Sequence, residues 1–348
     1  MPFGFGRKPA PANNGSTPNN GPLPPAAVVL DPFNGNPDVA RAVEHFKRGD
    51  WRSVETVVGS SRDWANRGDV ANALGDFPIS EDWLRSTPDS SLAHSVRGTQ
   101  LLRQAWNIRG SGMAESVAKT AWGDFFATLA EAERTLITAS ELDQDDPYPW
   151  AQLIWTGNGL QIPKDDILQR FAMVQARAPE FVFAWHGVIT AVAKKWGGSH
   201  ELMFDIARNG DRTLSPGSAA RVAIARAHEE RRLYYSAFEK DPEAAKAYFK
   251  LPEVANELSA AATNSVFSAQ HQPSASTRLT QSWFAYALSL AGDAVPAERV
   301  RAAGLFLQLG DEGIPSLPWK TRYGARAGEQ YARFRSISYR AAGISATS

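Results

Sequence analysis

The stretch ELDQDDPYPWAQL (residues 141–153) reads as a helix end, a short acidic turn and a new helix start, and that reading decides the fold. Asp146 stands where an N-cap belongs, because a short side-chain oxygen there can accept a hydrogen bond from a backbone N–H of the first turn. Pro147 follows at the first helical position, where the missing N–H costs no helical bond. Glu141, Asp143 and Asp145 complete a carboxylate cluster near the positive end of the new helix's dipole. Calcium is not needed to explain them, since the glycine and terminal glutamate of an EF-hand loop are missing.

Working outward, Trp122, Phe125, Phe126, Leu129, Ala132, Leu136 and Ile137 recur at three- and four-residue steps, which predicts one apolar stripe on a helix over 121–141. Downstream, RAPEFVFAWHGV (177–188) and TLSPGSAARVAI (213–224) repeat the layout of helix end, Pro-containing turn and new helix. Pro147, Pro179 and Pro216 fall 32 and 37 residues apart, and Trp150 and Trp185 fall 35 apart. Periods of this size mark stacked helical pairs. Nearer the N-terminus, Gly49 stops the helix that includes Arg41–Phe46, and Asp50-Trp51 opens another. Alternating Val/Ile/Thr runs bounded by turns, the mark of strands, are essentially missing. The fold class expected is all-α, a helical-hairpin repeat.

The same residues resemble the tetratricopeptide repeat. Ala132-x3-Leu136 and Ala139 fall at its small and large core positions, Trp150-Ala-Gln-Leu153 looks like its W-x2-L start, and Trp185-His-Gly-Val188 is similar. Ile154 stands in place of the usual Gly, Gly157 in place of the Tyr, and Gln144 in place of the Pro. The resemblance covers about residues 128–225 and implies a tetratricopeptide-like α-solenoid. On that reading residues 37–272 form the helical-repeat domain and residues 273–348 a C-terminal helical cap of the same solenoid. AWNIRG (105–110), LDQDDPYPW (142–150), KKWGGS (194–199) and SWFAYALSLAGD (282–293) together resemble an uncharacterised bacterial family with a repeat-like helical fold and a KWGGS loop. That likeness bears on the fold and implies no activity.

Composition sets further bounds. Of 348 residues 43% are hydrophobic, enough for a large core. Lys plus Arg (37) balance Asp plus Glu (37), which argues against a broad footprint for nucleic acid or an anionic membrane. The absence of cysteine excludes disulfides, thiol catalysis and Cys-ligated zinc. No apolar run approaches the roughly 20 residues of a membrane helix. The start, MPFGFGRKPAPANNG, lacks a signal peptide's apolar segment, and Pro2 is incompatible with N-myristoylation. A cytoplasmic protein is expected. Residues 1–36, rich in Pro, Gly and Asn, are expected to form a disordered tail with Phe3 and Phe5 at its tip.

No catalytic constellation emerges. Lys194 and Lys195 precede Gly197 and Gly198 instead of following a phosphate-binding loop, and Gly157-Asn-Gly159 and Gly110-Ser-Gly112 do not continue as G-x-G-x-x-G. The six histidines are scattered without H-E-x-x-H, although His186 and His228 could approach each other across neighbouring helices. In AHEERR (227–232) successive side chains splay by about 100° around a helix, and the run is expected to be a solvated face. No catalytic residue, metal or cofactor is therefore expected.

Two basic-aromatic stretches remain as candidate ligand or partner sites. In RGTQLLRQAWNIRG (97–110), Arg103 and Arg109 each lie three residues from Trp106, so cation–π contacts are available. In AKKWGGSHELMF (193–204), Gly197 or Gly198 can stop a helix whose last turn carries Lys194 and Lys195, and Ser199 can cap the next. The same loop could instead hold a phosphate or carboxylate through Lys195, Gly197, Gly198 and Ser199, with Trp196 unexplained by a plain corner. The leading expectation is a non-catalytic scaffold that binds a peptide or protein in a helical-repeat groove. The alternatives are a small-ligand or anion binder, or enzyme, using the 194–200 loop, and a structural homo-oligomer subunit.

Overall fold

A computed structural model describes residues 28–59, 63–78, 81–110 and 119–345. The expected disordered tail lies outside the described residues as far as residue 27, Phe3 and Phe5 included. Among the described residues the chain is all-α apart from two short strands. The first helices are α1 (Pro37–Lys47), α2 (Trp51–Val58), α3 (Trp64–Leu74), α4 (Glu81–Ser86) and α5 (Ser91–Arg109). They are followed by α6 (Lys119–Leu142), α7 (Pro147–Leu160), α8 (Lys164–Gln175), α9 (Val182–Ala191), α10 (His200–Thr213) and α11 (Ala223–Ala237). The C-terminal part holds α12 (Pro242–Ala247), α13 (Pro252–Thr263), α14 (Thr277–Ala291), α15 (Pro296–Leu309), α16 (Trp319–Tyr323) and α17 (Ala327–Ala341). No helix among the described residues is long and apolar enough to cross a membrane.

The helix starts follow from their caps. Asp146 accepts from the Tyr148 N–H at 2.8 Å with Pro147 at the first position, as the turn chemistry predicts. Arg67 also pairs with this buried carboxylate at 2.6 Å, tying α3 to the start of α7. Gly49 adopts a φ of 69° before Asp50, which caps α2 through the Ser53 N–H. On α6 the apolar stripe is narrower than predicted. Phe125, Leu129, Ala132, Leu136 and Ala139 are buried, whereas Phe126 and Ile137 are 37% and 40% exposed.

Successive helices pack side by side: α5 on α6, α6 on α7, α7 on α8 and α8 on α9. A second set of contacts joins alternate helices, α5 to α7, α7 to α9 and α9 to α11, and α3 packs against α5, α7 and α9. The two ends of the described chain meet. Strand β1 (Leu30–Asp31) pairs in parallel with β2 (Ile314–Pro315), and the Val28 N–H donates to the Gly328 carbonyl at 3.3 Å. Gly35 and Gly313 lie so close that a Cβ on Gly313 would sit 2.7 Å from the Gly35 Cα. Arg278 of α14 holds this closure by donating to the carbonyls of Leu309 and Gly313 at 2.8 and 3.1 Å. Residues 28–36, assigned to the tail by composition, are therefore part of the fold: Val28, Leu30 and Asp31 pair with the C-terminal segment, and Asp31 accepts from the Phe33 and Gly35 N–H groups in the turn that follows.

AHEERR (227–232) is not a solvated face. His228, Glu229, Glu230 and Arg232 are all buried. They do splay as helical geometry requires: His228 meets Tyr248 and Glu257, Glu229 meets Arg232 and Tyr286, and Glu230 meets Lys195 and Arg226. Each buried charge has an opposite partner, which is what makes burial tolerable.

Candidate functional site

The 194–200 loop begins one turn beyond α9. Lys194–Trp196 form a 3-10 turn, Gly197 ends it at a φ of 82°, and Ser199 caps α10 by accepting from the Leu202 N–H at 3.0 Å. The lysines thus sit in their own tight turn and not in the last turn of α9. Gly198 is wedged against α9, where a Cβ would fall 1.8 Å from the Val192 carbonyl oxygen. The helix that follows, α10, packs chiefly on α11.

Trp196 leaves this turn to pack on α5. Its ring meets Trp106 edge-on at 5.6 Å, Trp106 meets Phe125 at 5.3 Å, and Phe125 meets Trp122 at 5.6 Å. The Arg109 guanidinium lies 5.5, 5.7 and 6.0 Å from the centroids of Trp106, Trp122 and Trp196. These rings wall a cleft of about 620 Å³ whose lining also includes Asn158, Lys164, Lys195 and Gly197. Five residues singled out in the sequence, Trp106, Arg109, Lys195, Trp196 and Gly197, thereby come together. The other three do not line it. Ser199 is spent on its cap and Gly198 on its close approach. Arg103 turns toward α3, donating to Asn72 Oδ1 at 2.7 Å and lying 3.0 Å from an Asp76 oxygen. The helix registers explain the split: α5 presents Trp106 and Arg109 to α6 and the loop, and Arg103 to α3.

The cleft's charge is one-sided. Among the described residues its lining holds three cations, Arg109, Lys164 and Lys195, and no carboxylate. Burial lowers the pKa of both Arg109 and Lys164. Lys195 points inward to Glu230 at 2.7 Å, and burial likewise lowers its pKa despite that partner. Asn158 was visible in the sequence only as the middle of Gly157-Asn-Gly159, weighed against a nucleotide motif. In the structure it is 3% exposed, and both its amide oxygen and its amide nitrogen lack a hydrogen-bond partner. The Trp196 indole N–H is buried without one as well. The signal was there: three poor helix formers in a row inside a helix call for a reason beyond propensity. Gly159 supplies part of it, since a Cβ would meet Leu129 at 2.6 Å and Trp106 at 3.3 Å.

No family model matches the chain, and no curated protein matches it either. Any function must be argued from these residues.

A second, deeper cavity of about 120 Å³ lies where α3, α5, α7, α9, α11 and α14 converge, near the closure of the two chain ends. Asp69, Arg103, His186, Arg226, Trp283 and Thr321 line it together with Phe181, Phe183 and Leu279. Of these, sequence reasoning weighed only Arg103 and His186 as candidate ligands, because the other residues named come from five separate segments. His186 faces Trp283 at 5.4 Å, while His228 faces Tyr248 and Glu257, so the two histidines do not converge. Among the described residues no group of three or more His, Asp or Glu could hold a metal ion. Burial, with the charge of Arg226, pushes the His186 imidazole down to about 3, so it is neutral at physiological pH.

Burial pushes the Asp69 carboxyl up to about 7 from its ordinary 3.8, against a hydrogen bond from Asn36 that favours the anion. Between those values the folded chain keeps a proton that the unfolded chain has lost, so this group makes stability fall as pH rises. The penalty is absent below 3.8 and complete above about 7. Asp69→Asn is accordingly expected to stabilise the protein by about 1–3 kcal/mol near pH 8. The gain should vanish toward pH 4 in chemical denaturation. An offset that does not change with pH would show that the carboxyl is not strained.

Proposed function

We propose that this chain is a small-molecule-binding protein built on tetratricopeptide-like helical hairpins, and that the Trp106–Trp122–Trp196 cleft takes a flat aromatic ligand carrying a negative charge. The observation that carries the reading is Asn158, a buried amide on the cleft wall with donor and acceptor both unpartnered. Buried polar groups are nearly always hydrogen-bonded, so an unpartnered amide in a cleft calls for a ligand. The indole and phenyl faces supply stacking area, and Arg109 and Lys164 in a lining without a carboxylate among the described residues favour a negative ligand charge. The succession of packed helices, with alternate helices also in contact, supports the repeat reading.

A protein or peptide partner in a helical-repeat groove is the competing proposal. The deep point where the alternate helices converge has room for about 120 Å³, which favours a small ligand there over a peptide segment.

Titration calorimetry with aryl carboxylates and nucleoside monophosphates, each beside its neutral counterpart, tests the cleft. Acids should bind and quench tryptophan emission, while neutral counterparts bind about tenfold more weakly or less, the loss expected for one charge-assisted hydrogen bond. Asn158→Leu and Trp196→Ala should each weaken binding by a similar factor. If neutral ligands bind as well as acids, or neither variant changes affinity, the proposal is wrong.

A further inference from the structure

Among the described residues, one network beside the deeper cavity holds more cations than carboxylates. Glu230 pairs with Lys195 at 2.7 Å and with Arg226 at 2.5 Å. Next to it Glu229 takes Arg232 in a two-bond fork at 2.8 and 2.7 Å and accepts from the Tyr286 hydroxyl at 2.6 Å. Arg322 donates to that hydroxyl, also at 2.6 Å. In this network Glu229 and Glu230 thus face Lys195, Arg226, Arg232 and Arg322. Arg226 is the member of this network that reaches the cavity, its guanidinium 5.4 Å from the Trp283 ring centroid. An excess of buried cation is costly unless an anion joins it.

The cavity wall carries the hydrogen bonds such an anion would need. Trp283 is 1% exposed, and its indole N–H has no acceptor. His186 Nε2 and the Thr321 hydroxyl are buried without partners on the same wall. A buried indole N–H can only donate, and a hydroxyl can donate, so the free valences ask for an acceptor oxygen. The remaining wall is apolar: Phe181, Phe183, Leu279 and Leu317. A cavity of about 150 Å³ holds benzene, so 120 Å³ admits a molecule of roughly six non-hydrogen atoms at most.

We infer that this cavity is a second binding site, separate from the tryptophan cleft, and that it takes a short-chain carboxylate. The carboxylate oxygens accept from Trp283 Nε1 and the Thr321 hydroxyl beside Arg226, and the short alkyl chain lies on the phenylalanine and leucine wall. Among the described residues of the lining Asp69 is the single acid, and it carries its proton below about 7.

Calorimetric titration of the full chain with butyrate near pH 6, below the Asp69 transition, tests this, with butyramide and octanoate as comparators. Butyrate should bind and raise the melting temperature. Butyramide should bind about tenfold more weakly or less, and octanoate should be excluded by volume. Trp283→Phe keeps the ring and removes the N–H, and should weaken butyrate by about tenfold. Thr321→Val gives the same reading if the tryptophan variant does not fold. Equal binding of butyrate and butyramide, octanoate binding as well as butyrate, or no binding by any short carboxylate overturns the inference. The last outcome would leave water alone to satisfy the three polar atoms. The aryl acids that test the cleft are too large for this cavity, so the two sites fail or succeed independently.

Discussion

Glu230→Gln is expected to lower the unfolding free energy by about 3–5 kcal/mol, the cost of leaving buried charge without its partner. The Glu230 side chain is 1% exposed, and its two oxygens meet Lys195, 5% exposed, and Arg226, 13% exposed. Glutamine keeps the shape and loses the charge, so both cations lose the Glu230 counter-charge in a low-dielectric interior. Arg226 retains one hydrogen bond, to Thr190 at 2.8 Å, which limits the loss on its side. On the lysine side, burial lowers the Lys195 pKa even with Glu230 in place. The sign follows from that direction. A lysine whose folded pKa lies below the ordinary 10.5 gives up its proton in the folded state first, so its penalty is present at neutral pH and relieved at alkaline pH. Glu230→Gln should therefore lose less stability at alkaline pH than at pH 7. The double variant Lys195→Met with Glu230→Gln should recover part of the loss, with a coupling of about 1–3 kcal/mol in a double-mutant cycle followed by urea denaturation. If the single variant costs no more than an exposed pair, under about 1 kcal/mol, the network is not a structural element of the core.

The same residues show what the sequence could and could not convey. AHEERR has the composition of a wet helix face, and nothing within six residues says otherwise. Arg226 is an i,i+4 neighbour of Glu230 on the same helix, but burial also depends on Lys195, Tyr286 and Tyr248, which lie on other segments and arrive only through tertiary packing. Local chemistry was legible. The Asp146 cap, the Gly49 stop, the Ser199 cap and the helical period of α6 are each set by a few neighbouring residues, and each is found. Partial legibility marks the cleft. Trp106 and Arg109 share one helix face and Lys195, Trp196 and Gly197 one turn, so each half could be read, while their meeting could not. Trp122 was assigned to a core stripe and Lys164 passed unremarked, because the site is assembled from α5, α6, α7, α8 and a loop. The deep cavity was essentially invisible, since its lining comes from one or two residues per helix on most of its walls. Closure of the chain ends was hidden for a related reason: two-residue strands carry no alternating pattern.

Gly198→Ala is expected to cost about 2–4 kcal/mol and Gly197→Ala about 1 kcal/mol, an order that helix-capping logic alone would reverse. Gly197 is the residue with the left-handed backbone, at a φ of 82°, yet it has open space around the position a Cβ would take. Alanine there meets only the intrinsic cost of that conformation. At Gly198 the obstacle is backbone: a Cβ would sit 1.8 Å from the Val192 oxygen, 2.5 Å from its carbonyl carbon and 3.0 Å from its Cα. No rotamer change relieves such a contact, so the turn must move away from the end of α9. The Gly198 N–H to Ala193 carbonyl bond, 3.3 Å long, would stretch with it. Trp196, two residues back, would be drawn off Trp106 and Arg109 at the same time. Gly198→Ala should thus weaken an aryl-acid ligand of the cleft as well as the fold, and Gly197→Ala should do neither strongly. Urea denaturation and ligand titration on the two variants separate these outcomes. Equal costs, or a larger cost at Gly197, would mean that the loop is a simple helix stop whose second glycine is dispensable. The predicted order would mean that the paired glycines of KKWGGS divide two tasks, one reversing the chain and the other pressing it against α9 so that the indole reaches the cleft.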